Sequence, residues 1–195
     1  MDQEPMNTRE AEHLLIADTL PVLPLREVVI YPHVVLPLAA TTESELRLVN
    51  DAVVGNRLLA VAAVRDGVEQ PSAPEHLYDV GCAVVILKMA KFPDGSIRVL
   101  VQGLSRITLG PYIQTSPYLV ANIQRTASVI EESIELQALA QSVIEMFNKL
   151  VDLTPHLPDE LKVAVLNIPD KSRLADVLAA TLNLTVAQRQ EILET

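Results

Sequence analysis

Histidines, a lone cysteine, serines and paired carboxylates are the groups through which this chain would act on a substrate. His13, His33, His76 and His156 stand far apart in the sequence, without the i,i+4 pairing that lets one helix face hold zinc. Cys82 lies between Gly81 and Ala83 in an apolar run. That is the setting of a small core residue, not of a reactive thiolate. Ser105 is followed by Arg106, away from any candidate base, and no serine stands in a G-x-S-x-G turn. Glu131 and Glu132 adjoin, yet neighbouring residues on a helix point apart and cannot work as an acid/base pair. No G-x-x-x-x-G-K-S/T run is present to cradle phosphates, and the six glycines occur singly. The sequence therefore offers no catalytic constellation, no metal site and no cofactor site.

Charge narrows the partners. Lys88, Lys91, Arg98 and Arg106 fall on one expected hairpin. They form either a patch for acidic peptide segments or a neighbouring domain, or solvent-facing charges that balance an acidic protein. Arg26 is the one cation in the long apolar stretch Leu20–Ala40. Its charge is expected to need an internal carboxylate or backbone carbonyls, with Glu27 a partner only if the turn folds the two together. The formal net charge of −10 repels phosphate backbones, and 3% aromatics with no tryptophan leave few stacking platforms for single strands. One cysteine cannot form an internal disulfide and fits a reducing compartment. Residues 1–19 carry five acids against Arg9 and lack the basic start and apolar core of a signal peptide. They read as a mobile acidic leader, with a helical turn over Glu10–Ile16. With no run apolar enough to span a bilayer, a soluble, cytoplasmic protein is expected.

These groups need elements to position them. Leu20–Ala40 (LPVLPLREVVIYPHVVLPLAA) carries four prolines, so it cannot be one helix. The alternative is two extended segments, Val22–Leu25 and Val34–Ala39, joined by a turn through Val28–His33, at least one of them bordering a sheet. Thr41-Thr42-Glu43-Ser44-Glu45 reads as a helix start, with Leu46, Val49 and Val53 at helical spacing and Gly55-Asn56 as its stop. Leu58–Val64 is β-like. Arg65–Glu75 reads as a loop, most simply a solvated connection. Val80–Phe92 and Ser96–Leu109 flank Pro93-Asp94-Gly95, a turn spelling that predicts a hairpin. Its centre, Ala83–Leu87, is apolar on both faces, as in a strand buried on both sides. Tyr118–Arg125 is a last strand.

The period then changes. Ser128 and Glu131 have capping-box spacing, and an apolar stripe from Ile134 to Leu150 predicts a helix of about six turns that something must cover. Thr154–Pro158 breaks it, and short helices follow over Asp159–Asn167 and after Asp170. Thr185 and Gln188 box a final helix that is cut off at Thr195. The reading is thus a leader over 1–19, a β-rich subdomain over 20–125 and a helical subdomain over 126–195 ending in a truncated helix.

Three stretches carry a family resemblance. The first is Leu23-Pro24-Leu25-Arg26, a hydrophobic triplet, Tyr31-Pro32 and Leu36-Pro37-Leu38. The second is the Lys91–Arg106 run, Lys-x-Phe-Pro-Asp-Gly-x-x-Arg-Val-Leu-Val-x-Gly-Leu-x-Arg, and the third is Arg173-Leu174-Ala175-Asp176 with Ala179-Ala180. Together they resemble the N-terminal substrate-binding domain of Lon, the ATP-dependent AAA+ serine protease. The resemblance implies an α+β fold: a PUA-like β-rich pseudo-barrel, then a helical subdomain leading into a long helix. It also implies recognition of unfolded, damaged or degron-bearing proteins, and support of the hexamer that unfolds and cleaves them. The ATPase module and the protease with its serine–lysine dyad follow this region in the family. Neither is spelled here, so neither activity carries over.

Binding many unfolded chains calls for apolar surface with loose geometric demands. The candidates are Leu23, Pro24, Leu25, Ile30, Tyr31 and Pro32, each of which has burial in the β core as its competing role. One of Leu23 and Leu25 is expected to be buried. The basic hairpin Lys88, Lys91, Arg98 and Arg106 is the second candidate. Two other readings are a free-standing Lon-like adaptor without an ATPase and RNA binding by analogy with other PUA-like folds, the second opposed by net charge.

Overall fold

The structure is a computed structural model and describes residues 16–68, 71, 73–126, 133–154, 157–168 and 170–195. Among these, six strands and five α-helices run in the order β1 (Thr19–Leu25), β2 (Val35–Ala40), α1 (Glu43–Val54), β3 (Leu58–Ala63), β4 (Val80–Lys91), β5 (Ile97–Gln114), β6 (Leu119–Arg125), α2 (Ile134–Leu153), α3 (Glu160–Leu166), α4 (Lys171–Thr181) and α5 (Val186–Glu194). The fold is α+β. Its first compact unit extends to Thr126 and takes in Leu184–Thr195; the second is Ala127–Asn183. The last helix, grouped by its period with the helical half, thus belongs to the β unit. Apart from its last four residues, the leader lies outside the described residues.

The sheet order is β2-β5-β4-β3-β1-β6, and β5 pairs a second time with β6. Five strands therefore close on themselves, which removes their free edges. The closure is possible because β5 is 18 residues long. Its first part pairs with β2 through Ile97–Gln102, and its second with β6 from Ile107 onward. Inside the ring pack Leu20, Val22, Leu58, Ala60, Ala83, Val85, Ile107 and Leu119. The opposite face buries Leu23, Leu25, Val61, Cys82, Val84, Ile86 and Val101 with Leu48, Val49 and Ala52 of α1. Each Leu or Val fully buried there contributes about 1.5–3 kcal/mol. Strand β4 separates the two cores, which is why Gly81–Leu87 is buried throughout.

The two prolines of β1 are accommodated by a division of its pairing. Thr19–Val22 pairs antiparallel with β6, whereas Val22–Leu25 pairs parallel with β3. Each half has one side without a ladder, so a missing N–H there costs no strand bond. Helix α1 begins with the threonine cap that the spelling predicts, and Thr42 and Glu45 further form a reciprocal capping box. At the β4–β5 turn Gly95 takes φ +85°, the left-handed region that favours glycine.

In the second unit Phe147 and Val151 of α2 pack with Val165, Leu174 and Leu178. Lys162 reaches back to Asp152 and also pairs with Asp159 at 2.8 Å. Both carboxylates raise its pKa. The expected stripe is only partly covered, with Ile134, Leu139 and Leu150 exposed. The helix is capped by Ser133, whose hydroxyl accepts from the Leu136 N–H; the expected box at Ser128 and Glu131 lies outside the described residues.

Candidate functional site

The apolar residues proposed from sequence as a surface are mostly core. Leu23, Ile30 and Tyr31 are 2%, 2% and 0% exposed, and Leu25 is 9%. Pro32 is buried and Pro24 half-buried. Leu23 and Leu25 are both inside because residues two apart on a strand share a face, and both join the core under α1. The turn after β1 is held down from two sides. Gly103 comes so close that a Cβ there would stand 2.1 Å from the Tyr31 carbonyl oxygen. The Gly103 carbonyl accepts from the His33 N–H at 2.9 Å. Helix α5 covers the rest, where Gln190 and Leu193 line one crevice with Leu25, Ile30, Val61 and Gly81.

Side chains of the β unit also grip α5 by its backbone. The Tyr31 hydroxyl donates to the Arg189 carbonyl at 2.7 Å, and Arg106 Nε donates to the Leu193 carbonyl at 3.1 Å. Carbonyls in a last turn lack intrahelical partners, and a cation suits that end of the helix. Arg106 is therefore a docking residue for α5 and separates from the basic hairpin. Arg26, expected to need an internal counter-charge, is exposed in the turn after β1, where water meets that need.

The exposed apolar surface lies where β2, β5 and β4 extend beyond the closed ring. Residues paired across a ladder share a face. Three such rows cross this extension: Val35–Gln102–Val85, Pro37–Leu100–Lys88 and Ala39–Arg98–Ala90. Val35 is 43% exposed; Pro37, Ala39 and Ala90 are exposed and Leu100 half-buried. Phe92 is 38% exposed with the Arg98 guanidinium 4.4 Å above its ring. On the other face Met89 is 36% exposed beside Val99 and Leu38. Lys88, Lys91 and Arg98 are exposed around these groups. Asp94 at the tip is held below its usual carboxylate pKa, chiefly by the Ser96 hydroxyl and backbone N–H that bond it. The structure thus brings three of the four basic candidates together with apolar groups that the sequence reading left out. Phe92, one of two phenylalanines in the chain and next to a turn, was the available signal.

Among the described residues no three of His, Cys, Asp and Glu gather as a metal site. Cys82 is fully buried in the core. His33 is exposed at a turn with φ 64°, and His76 sits in a short 3-10 turn; His13 and His156 lie outside the described residues, as do Glu131 and Glu132. Tyr112 is pushed up to about 12 by burial, with Asp79 adding to it. Tyr118 is raised by its hydrogen bond to Asp51 at 2.7 Å. Neither lies on the β2–β5–β4 extension. Among the described residues no helix is long and apolar enough to cross a membrane.

Comparison with known proteins agrees with the geometry. The family model of the ATP-dependent protease La (LON) substrate-binding domain matches residues 19–195. The Lon protease of Dictyoglomus thermophilum is 37% identical over 180 residues, covering 92% of this chain and 23% of that protein. That of Geobacter metallireducens is 36% identical over 195 residues, covering 99% of this chain and 24% of its own length. The chain thus spans about a quarter of the relatives it matches. Among solved structures, the N-terminal domain of a Mycobacterium avium complex Lon protease superposes with a TM-score of 0.74 at 21% identity, over 91% of this chain and 90% of that one. A Lon N-terminal domain protein from Xanthomonas campestris gives 0.53 at 22%, over 84% and 98%. These two show the fold. With the family match over nearly the whole chain, the protein belongs to the Lon substrate-binding domain family.

Proposed function

We propose that this chain holds unfolded, damaged or degron-bearing proteins for a cytoplasmic Lon protease, and that they lie on the β2–β5–β4 extension. One observation carries the reading: Val35, Pro37 and Phe92 stand exposed on a hairpin and its flanking strand, rimmed by Lys88, Lys91 and Arg98. Unfolded chains expose apolar groups that folded ones hide, and a small apolar patch with few polar demands accepts many of them. Acidic flanks of a substrate meet the cations at the rim, where they add to the encounter rate more than to affinity. The chain itself neither hydrolyses ATP nor cleaves peptides; those steps belong to the modules of the full-length protease. A hexamer would multiply weak sites and gain avidity without a new contact.

The test is a titration of fluorescein-labelled, reduced and carboxymethylated α-lactalbumin, which stays unfolded. Binding at roughly micromolar to hundred-micromolar Kd is expected, since one patch must offset the ordering of a flexible chain. Val35→Ser with Phe92→Ser should weaken it about tenfold or more at unchanged Tm. Binding that the double variant leaves intact would remove the surface from the reading, and no binding at all would remove the function.

A further inference from the structure

Strand β2 ends the sheet, and we propose that a bound chain docks there as an added strand, paired backbone to backbone with its outer edge. The inference rests on the substrate-holding role above and supplies its mode.

The hydrogen-bond phase of β2 follows from two observations. The Gly103 N–H donates to the Val34 carbonyl at 2.9 Å, in register with Leu36↔Val101 and Leu38↔Val99. Bonded positions alternate in an antiparallel pair, so Leu36, Leu38 and Ala40 turn their backbone groups to β5, as does the Val34 carbonyl, while the Val34 N–H donates to the Tyr31 carbonyl. Val35, Pro37 and Ala39 turn theirs outward. Pro37 lies in that outward phase, where its missing N–H costs the β2–β5 ladder nothing. The edge thus presents the N–H and C=O of Val35 and Ala39 and the C=O of Pro37, and no other described strand pairs with it.

Edges of this kind are ordinarily blunted by lysines, inward charges or a covering element. From Val34 to Ala40 the sequence is VVLPLAA, with no charge. Pro37 is the one blunting device within the strand, and its position selects the occupant. Two copies of β2 paired about Pro37 would set proline against proline, and that pair would make no bond. A foreign extended segment loses only one of the two, because its own N–H still reaches the Pro37 carbonyl. The edge therefore fits an unfolded polypeptide better than a second copy of this chain. Backbone pairing asks little of the guest's sequence, while guest side chains at alternate positions extend the rows that begin at Val35, Pro37 and Ala39. The guest chemistry is an extended, apolar or β-branched segment without proline at the paired positions.

Amide hydrogen exchange by NMR on the whole chain, with and without a short peptide of alternating valine and threonine, tests the mode. The Val35 and Ala39 amides should exchange fast in the free protein and slow about tenfold or more at saturation, while Leu36 and Leu38 are protected throughout. Val35→Pro with Ala39→Pro, which removes both outward donors, should weaken binding about tenfold. A peptide that saturates the protein with no change at these two amides overturns the strand mode and leaves the holding role standing. Protection that rises with protein concentration in the absence of peptide, with dimers in sedimentation, overturns it in favour of a second copy. Failure of both this peptide and the unfolded protein to bind overturns the role and the mode together.

Discussion

Leu20–Pro32 and Val35–Ala40 are neighbours in sequence, both largely apolar and both punctuated by proline, yet the first is mostly core and the second leaves one face exposed. Tyr31 is 0% exposed and Val35, four residues on, 43%. Composition does not separate them; neighbours do. Strand β1 lies between β3 and β6, and the turn after it lies under α5. Among the described strands, β2 has only β5 beside it. An apolar segment becomes core when distant chain arrives on both sides of it, and keeps an exposed side when distant chain arrives on one.

Breaking the core member of the pair gives the largest effect. Tyr31→Ala should cost about 3–5 kcal/mol in urea unfolding, through lost contacts and the cavity left behind. An unchanged midpoint would show that the turn is surface after all and dissolve the contrast. Gly103→Ala, which drives a methyl against the Tyr31 carbonyl, should cost about 1–3 kcal/mol as an overpacking change. Tyr31→Phe is the finer instrument. It removes only the hydroxyl that donates to Arg189, should cost about 1 kcal/mol, and should speed amide exchange in α5 without touching peptide binding. On the rim, Val35→Ala should move stability by less than about 0.5 kcal/mol while weakening peptide binding severalfold.

The last effect is electrostatic and shows only at alkaline pH. Tyr112 has a folded-state pKa of about 12 against 10.0 for the free group. A raised folded value means that its stabilising contribution is complete below pH 10 and is lost as pH climbs from 10 toward 12. Stability should decline across that window, and less steeply in Tyr112→Phe.

What the sequence made legible was local. The Pro93-Asp94-Gly95 turn, the threonine cap before α1, the Thr185 capping box and the apolar centre of β4 each depend on residues a few positions apart. Strand-face assignment failed once by parity: Leu23 and Leu25 differ by two and share a face. The rest was hidden because it is non-local. No spacing in Ile97–Gln114 tells that one strand will serve β2 with one half and β6 with the other. Nor does the pattern of α5 name its dock, since its partners Tyr31, Val80 and Arg106 lie about a hundred residues or more upstream. The candidate surface suffered from the same gap. Apolarity alone pointed at Leu23–Pro32, and only the strand order moved the choice to Val35, Phe92 and the basic residues beside them.

The return of α5 bears on how the chain is made. The β unit is interrupted after Thr126 and resumes only at Leu184, so a ribosome delivers the whole second unit before the first can be finished. At ordinary synthesis rates that interval is on the order of several seconds. Throughout it, Tyr31 lacks its acceptor on Arg189, Arg106 lacks the Leu193 carbonyl, and the crevice over Ile30, Val61 and Gly81 stands without its lid. A domain proposed to hold unfolded proteins is thus, for that interval, an unfinished protein itself.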